Sequence, residues 1–141
     1  MRVSCDDKMT LFVDGVEKSV DGQDKWDQIS IFTIPASIQV IAIKGINQKA
    51  AKGIVGSIHD FMGKDILVTD KSWSCSGEWE DGWQGANFVM GEKWQPAHEQ
   101  EGHYQLGDVS PWNVLSPNRK SIWTTDLTKK TVYCRKIISC K

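Results

Sequence analysis

Four tryptophans, Trp79, Trp83, Trp94 and Trp112, lie in the loop-rich middle of this chain, most of them in a long polar stretch over 77–107. Around them stand Glu78, Glu80, Asp81, Asn87, His98, Glu99, His103, Tyr104 and Asn113. This mixture suits a sugar. A pyranose has an apolar face of C–H groups that an aromatic ring can cover. Its hydroxyl edge needs carboxylates, amides or imidazoles. The candidate sugar-binding residues are therefore Trp79, Glu80, Asp81, His98, His103, Tyr104 and Trp112. The competing reading is mechanical: a long loop without secondary structure needs anchors, and buried indoles supply them.

Other chemistries find less support. A glycosidase needs two carboxylates facing each other across a cleft. Asp6, Asp7, Glu78, Glu80 and Asp81 are the candidates, but acidic pairs in turns are ordinarily solvated. There is no G-x-S-x-G elbow, H-E-x-x-H helix, Walker loop or G-x-G-x-x-G turn, so a non-catalytic protein is expected. His59, His98 and His103 are scattered, and the last two lack a third ligand at zinc spacing. Acidic turns suit calcium, with Asp6, Asp7 and Asp14 as candidate ligands and 21–24 a further acidic turn. Turn-forming aspartate is the simpler reading of all of them. A structural calcium is the one cofactor considered.

The four cysteines are Cys5, Cys75, Cys134 and Cys140, and no two have C-x-x-C spacing. An even count without metal spacing predicts disulfides and an oxidising, extracellular setting. Terminal strands of a sandwich are often neighbours, so Cys5 is expected to pair with Cys134 or Cys140. Four cysteines allow three connectivities, and sequence does not choose among them. Residues 1–5 carry no apolar signal-peptide core, so secretion implies a mature chain with an added methionine.

The elements that must hold these residues read as short strands. Met9, Leu11 and Val13 alternate with Thr10 and Phe12, and Asp14-Gly15 is a hairpin turn. Residues 37–47 form the clearest strand, apolar on both faces, which predicts a central position. Further strands are expected over 16–20, 26–34, 53–61, 65–69, 72–76, 121–125 and 131–139, with weaker signals at 83–90 and 103–106. No segment longer than about ten residues keeps a helical apolar period, and turns recur every 8–12 residues, as all-β sandwiches and barrels require. At 141 residues, 40% hydrophobic and 25% charged, the chain is expected to form one domain with a true core. The net charge of −1, without a single-sign run, argues against nucleic acid as a partner. No apolar run is long enough for a helical membrane span.

Several short pieces, taken in order, carry a family resemblance: Asp6-Asp7 with 11–15; Trp26 ahead of Ile34-Pro35; 40–43 followed by Asn47 and Gly53-Ile54; 67–70 with Ser72-Trp73; Gly82-Trp83; 94–97; and Ile122-Trp123. This order resembles the galactose-binding-domain-like β-sandwiches. The resemblance implies an antiparallel jelly roll and a lectin-like or carbohydrate-binding role. It also implies packing roles for Trp26, Trp73 and Trp123 and makes anchors of Trp83 and Trp94. The alternatives within the same resemblance are an adhesive protein-binding module, including a homo-oligomer, or an accessory domain of a glycoside hydrolase. Fold alone does not choose among them.

Overall fold

The structure, a computed structural model, describes residues 1–6, 8–18, 30–31, 33–47, 53–100, 116 and 118–138. Asp7, Trp26, His103, Tyr104, Trp112, Cys140, the acidic turn over 21–24 and the expected strand at 103–106 lie outside the described residues, as does most of the segment 26–34.

The chain opens with β1 (Arg2–Asp6) and β2 (Lys8–Val13), followed by β3 (Val16–Lys18) and β4 (Ser30–Ile31). The longer strands β5 (Val40–Ile46) and β6 (Gly53–His59) come next, then β7 (Asp65–Val68) and β8 (Ser74–Ser76). Two short strands, β9 (Gln95–Pro96) and β10 (His98–Gln100), precede β11 (Ser121–Trp123) and β12 (Thr131–Ile137). Every pairing is antiparallel. One sheet runs β10-β11-β6-β1-β4, with β7 also on β6; the other runs β3-β2-β5-β12-β8-β9. The fold is an all-β sandwich, as the sequence predicts.

Alternation builds the core. Val3 and Cys5 of β1, Ile54 and Ile58 of β6, and Ile122 of β11 face Met9, Leu11 and Val13 of β2, Ile41 and Ile43 of β5, and Val132 and Cys134 of β12. Burying each such side chain contributes roughly 1.5–3 kcal/mol. The expected central strand is β5, held between β2 and β12. Trp73 and Trp123 are buried in this core as expected. Their indole N–H groups donate to the carbonyls of Val68 and Lys129, which makes their burial tolerable.

The structure corrects three expectations. Asp6 was expected in an acidic turn with Asp7, but β1 runs through Asp6. Residues 83–90 form turns instead of a strand. The disulfide joins Cys75 to Cys134, so Cys134 does not bridge to Cys5. Cys5 lies buried on β1 and takes no part in that bridge. The reason is register: Cys75 of β8 sits directly opposite Cys134 of β12, with Cα atoms 4.1 Å apart.

The chain changes sheets again at Ala97. Gln95–Pro96 pairs with β8, while His98–Gln100 pairs with β11 on the other layer. Ala97 is buried at this corner, and its N–H donates to the Trp73 carbonyl at 2.8 Å.

Candidate functional site

The outer face of the second sheet carries its own apolar cluster. Phe12, Ala42 and Tyr133 come from β2, β5 and β12 at positions facing away from the main core. The loop over 77–94 folds back across them through Trp83 and Trp94, only 2% and 7% exposed. The Trp83 ring stacks on Trp94 at 6.3 Å and meets Tyr133 and Phe12 edge-on at 5.0 and 5.5 Å. Phe88 closes the set, edge-on to Trp94 at 5.6 Å. Trp83 and Trp94 thus anchor the loop to the sheet.

Arg135 completes the attachment. It is buried on β12, and its Nη2 donates to the Gly85 carbonyl at 2.7 Å. Its guanidinium also lies 5.3 Å from the centre of the Phe88 ring. Burial pushes its pKa below the usual arginine value, and burial likewise raises that of the Tyr133 phenol.

The β2–β3 turn meets the same loop. Asp14 and Gly15 adopt φ of 48° and 83°, the left-handed pair that a two-residue hairpin needs. A Cβ on Gly15 would sit 3.7 Å from the Gly85 Cα, so the turn packs closely against the loop backbone. Asp14 Oδ1 accepts the N–H groups of Gln39 and Val40 at 2.8 and 2.9 Å, fixing the start of β5 to the turn. Asp14→Ala is expected to lower stability by about 1–3 kcal/mol, because two backbone donors lose their acceptor and alanine resists positive φ. Asp14→Asn, which keeps the acceptor, should lose clearly less. Denaturant titration of the two variants checks this.

Between the turn, the 37–39 segment and the loop lies an open cleft of 840 Å³. Asp14 and Asp81 bring carboxylates to it, Gln39 and Asn87 amides, Ser37 a hydroxyl, and Phe88 with Val89 an apolar wall. This volume lies within the usual range for small-molecule sites, roughly 300–1,000 Å³.

Of the residues expected to bind sugar, Asp81 lines this cleft. Trp79 is 61% exposed on the loop, and its neighbour Glu78 pairs with Lys93 at 2.8 Å. Lys93 holds the Glu78 carboxyl below the usual carboxylate value, first by hydrogen bonding and then by its charge. Glu80 follows on the same loop, half-buried. His98 is exposed on β10, in the other sheet, opposite Trp123. The structure therefore brings Asp81 together with Asp14, Ser37, Gln39, Asn87 and Phe88, and not with His98. Sequence reasoning missed Ser37 and Gln39, and it read Asp14 only as a turn residue and candidate calcium ligand.

Among the described residues no three His, Cys, Asp or Glu side chains gather to hold a metal ion. Asp14 has turned one oxygen to backbone donors, the work of a turn-forming aspartate.

A second polar cluster escaped the sequence reading. Ser57 Oγ and His59 Nε2 lie 2.8 Å apart, and His59 Nδ1 lies 3.2 Å from Asp65 Oδ1. The order is that of a serine nucleophile, its base and an orienting carboxylate. Here, however, Ser57 is 1% exposed, and its Oγ accepts the Ser116 N–H at 3.2 Å. The Ser116 hydroxyl and the Asn118 amide both donate to Asp65 Oδ2. The Ser116 hydroxyl is the first cause of the lowered pKa of the Asp65 carboxyl, with Asn118 and the charge of His59 adding to it. This network ties Ser116 and Asn118 to β6 and β7. Thr69 does the same for the next residues, donating from Oγ1 to the Lys120 carbonyl at 2.6 Å.

Among the described residues no helix is long and apolar enough to cross a membrane. No family model matches the chain, and no curated protein or solved structure matches it either.

Proposed function

We propose that this protein is a non-catalytic carbohydrate-binding module of the galactose-binding-like, jelly-roll kind, working outside the cell. Its site is the open cleft between the β2–β3 turn and the 81–89 loop. The observation that carries the reading is the convergence there of carboxylate, amide and hydroxyl groups beside Phe88 and Val89. Asp81 and Asn87 take sugar hydroxyls, Gln39 and Ser37 add further polar contacts, and the apolar wall covers the C–H face. The Cys75–Cys134 disulfide supports an oxidising compartment. The anchored loop supports the site, since a pre-formed cleft spends less of its binding energy on ordering.

Titration with a panel of mono- and disaccharides, followed by calorimetry, tests this. A saturable sugar is expected. Asp81→Ala and Asn87→Ala should each weaken it about tenfold or more, the loss expected for one hydrogen bond to a charged or buried partner, without moving the unfolding midpoint. Trp79→Ala should leave binding unchanged. If Trp79→Ala abolishes binding while Asn87→Ala binds normally, the site is misplaced; if no sugar binds, the carbohydrate reading fails.

A further inference from the structure

The turn that joins β6 to β7, residues 60–64, is closed by its own hydrogen bonds. The Asp60 N–H donates to the Lys64 carbonyl at 2.9 Å, and the Gly63 N–H donates to the Asp60 carbonyl at 3.0 Å. Asp60 Oδ1 accepts the N–H groups of Met62 and Lys64, both at 2.9 Å. Gly63 takes the positive φ, 83°, that reverses the chain. The turn so fixed holds Phe61 and Met62 in water, 97% and 77% exposed. Packing within the sandwich accounts for neither side chain.

The apolar surface continues behind this tip. Phe61 lines the mouth of a 660 Å³ cavity together with Ile31 of β4 and Ile66 of β7, both exposed. Ile38 and Ile58 of the main core line the same cavity. Large apolar groups gathered on one surface mark a contact region more often than an ordinary exterior.

Two features select the partner. The N–H groups of Asp60, Met62, Gly63 and Lys64 are all spent inside the turn. The tip can therefore leave water without stranding those donors, which is the condition hydrocarbon imposes. A partner that adds a strand needs the opposite, open main-chain donors. The second feature is charge. Arg2, His59 and Asp60 line the cavity, and Lys64 and Asp65 follow the tip directly. Both signs stand together there, so no net field draws the tip to an anionic surface, and a zwitterionic one suits it.

We propose that the β6–β7 turn docks on a zwitterionic phospholipid bilayer, with Phe61 and Met62 entering it and Ile31 and Ile66 behind them. None of these side chains lines the sugar cleft, so the docking does not rest on the carbohydrate reading.

Flotation of the protein with phosphatidylcholine vesicles tests this, and such vesicles offer no sugar to the cleft. Reversible binding that salt does not weaken is expected. Replacing half of the lipid with phosphatidylserine should not tighten it. Phe61→Ser and Met62→Ser should each weaken it about tenfold or more, the loss expected when a large apolar side chain no longer leaves water. Their unfolding midpoints should not move, because both side chains are in water in the folded protein. The methionines supply a second measurement. Met62 is at the tip, Met90 is exposed on the 77–94 loop and Met9 is buried in the core. With a nitroxide on the lipid acyl chain, the Met62 methyl signal should broaden while those of Met90 and Met9 stay sharp.

Any of four results overturns the proposal: no flotation, equal flotation of the doubly substituted protein, broadening at Met90 in place of Met62, or binding that requires phosphatidylserine and disappears in salt. Absent flotation, together with a dimerisation that the double substitution abolishes, overturns it too and assigns the tip to a second copy of the chain. If the double variant does not fold, the methionine signals of the unaltered protein decide.

Discussion

Replacing Trp83 with alanine is expected to destabilise the protein by about 3–5 kcal/mol, the range for removing a buried aromatic ring. A domain of this size has about 5–15 kcal/mol in total, so the loss is a large part of its stability. The indole stacks on Trp94 and meets Tyr133 and Phe12 edge-on, and its removal empties the space between sheet and loop. The backbone over 77–94 has little strand pairing of its own, so packing holds it in place. Loss of the ring should therefore loosen Gly85, Phe88 and the cleft before the sandwich itself melts. Trp83→Phe keeps an aromatic ring at the site and should lose markedly less. Denaturant titration reports the stability, and near-UV circular dichroism reports the freed loop. An unchanged midpoint in Trp83→Ala would mean that the loop is not anchored as described.

Removing the disulfide should have a comparable effect. Cys75 and Cys134 are 59 residues apart in sequence, and closing a loop of that length restricts the unfolded chain by about 4 kcal/mol in the entropic account. Measured values commonly fall below this, so the expected loss for the double alanine variant is about 2–4 kcal/mol. The midpoint should fall on the order of 10 °C. The bridge also fixes β8, which has only three residues and pairs with β12 and β9. Its loss should weaken the hold on the start of the 77–94 loop. Comparing thermal unfolding with and without a thiol reductant gives the answer in the unaltered protein, and equal midpoints would exclude the bridge as a stabilising element.

Much of the sandwich was legible from local pattern. Asp14-Gly15 fixed the first hairpin because few other pairs adopt two successive positive φ angles. The two-faced apolar run of β5 announced a strand covered on both sides. β1 was hidden because it shows only Val3 and Cys5 on its inward face between polar residues, too short an alternation to stand out. β9 and β10 were hidden for a related reason: Pro96 and the polar residues of 95–100 resemble a loop, and pairing with β8 and β11 makes them extended.

The candidate site was less legible, because it is a tertiary product. Asp14, Ser37 and Gln39 lie some forty residues or more before Asp81 and Asn87, and the meeting of the β2–β3 turn with the loop at Gly85 joins them. Composition pointed to the loop and to Asp81, which lines the cleft, but it could not separate exposed Trp79 from buried Trp83 and Trp94. The cysteine partner was hidden likewise, since it depends on β8 lying beside β12.

Among the described residues, the strands at the margins of both layers are brief. β4 and β9 have two residues each, β3 and β10 three, and β7 four. Pro96 lacks an N–H, and Lys18 places a charge on the margin beyond β2. At Pro96 a neighbouring molecule meets a missing donor in place of a main-chain hydrogen bond, which disfavours extension of the second layer past β9.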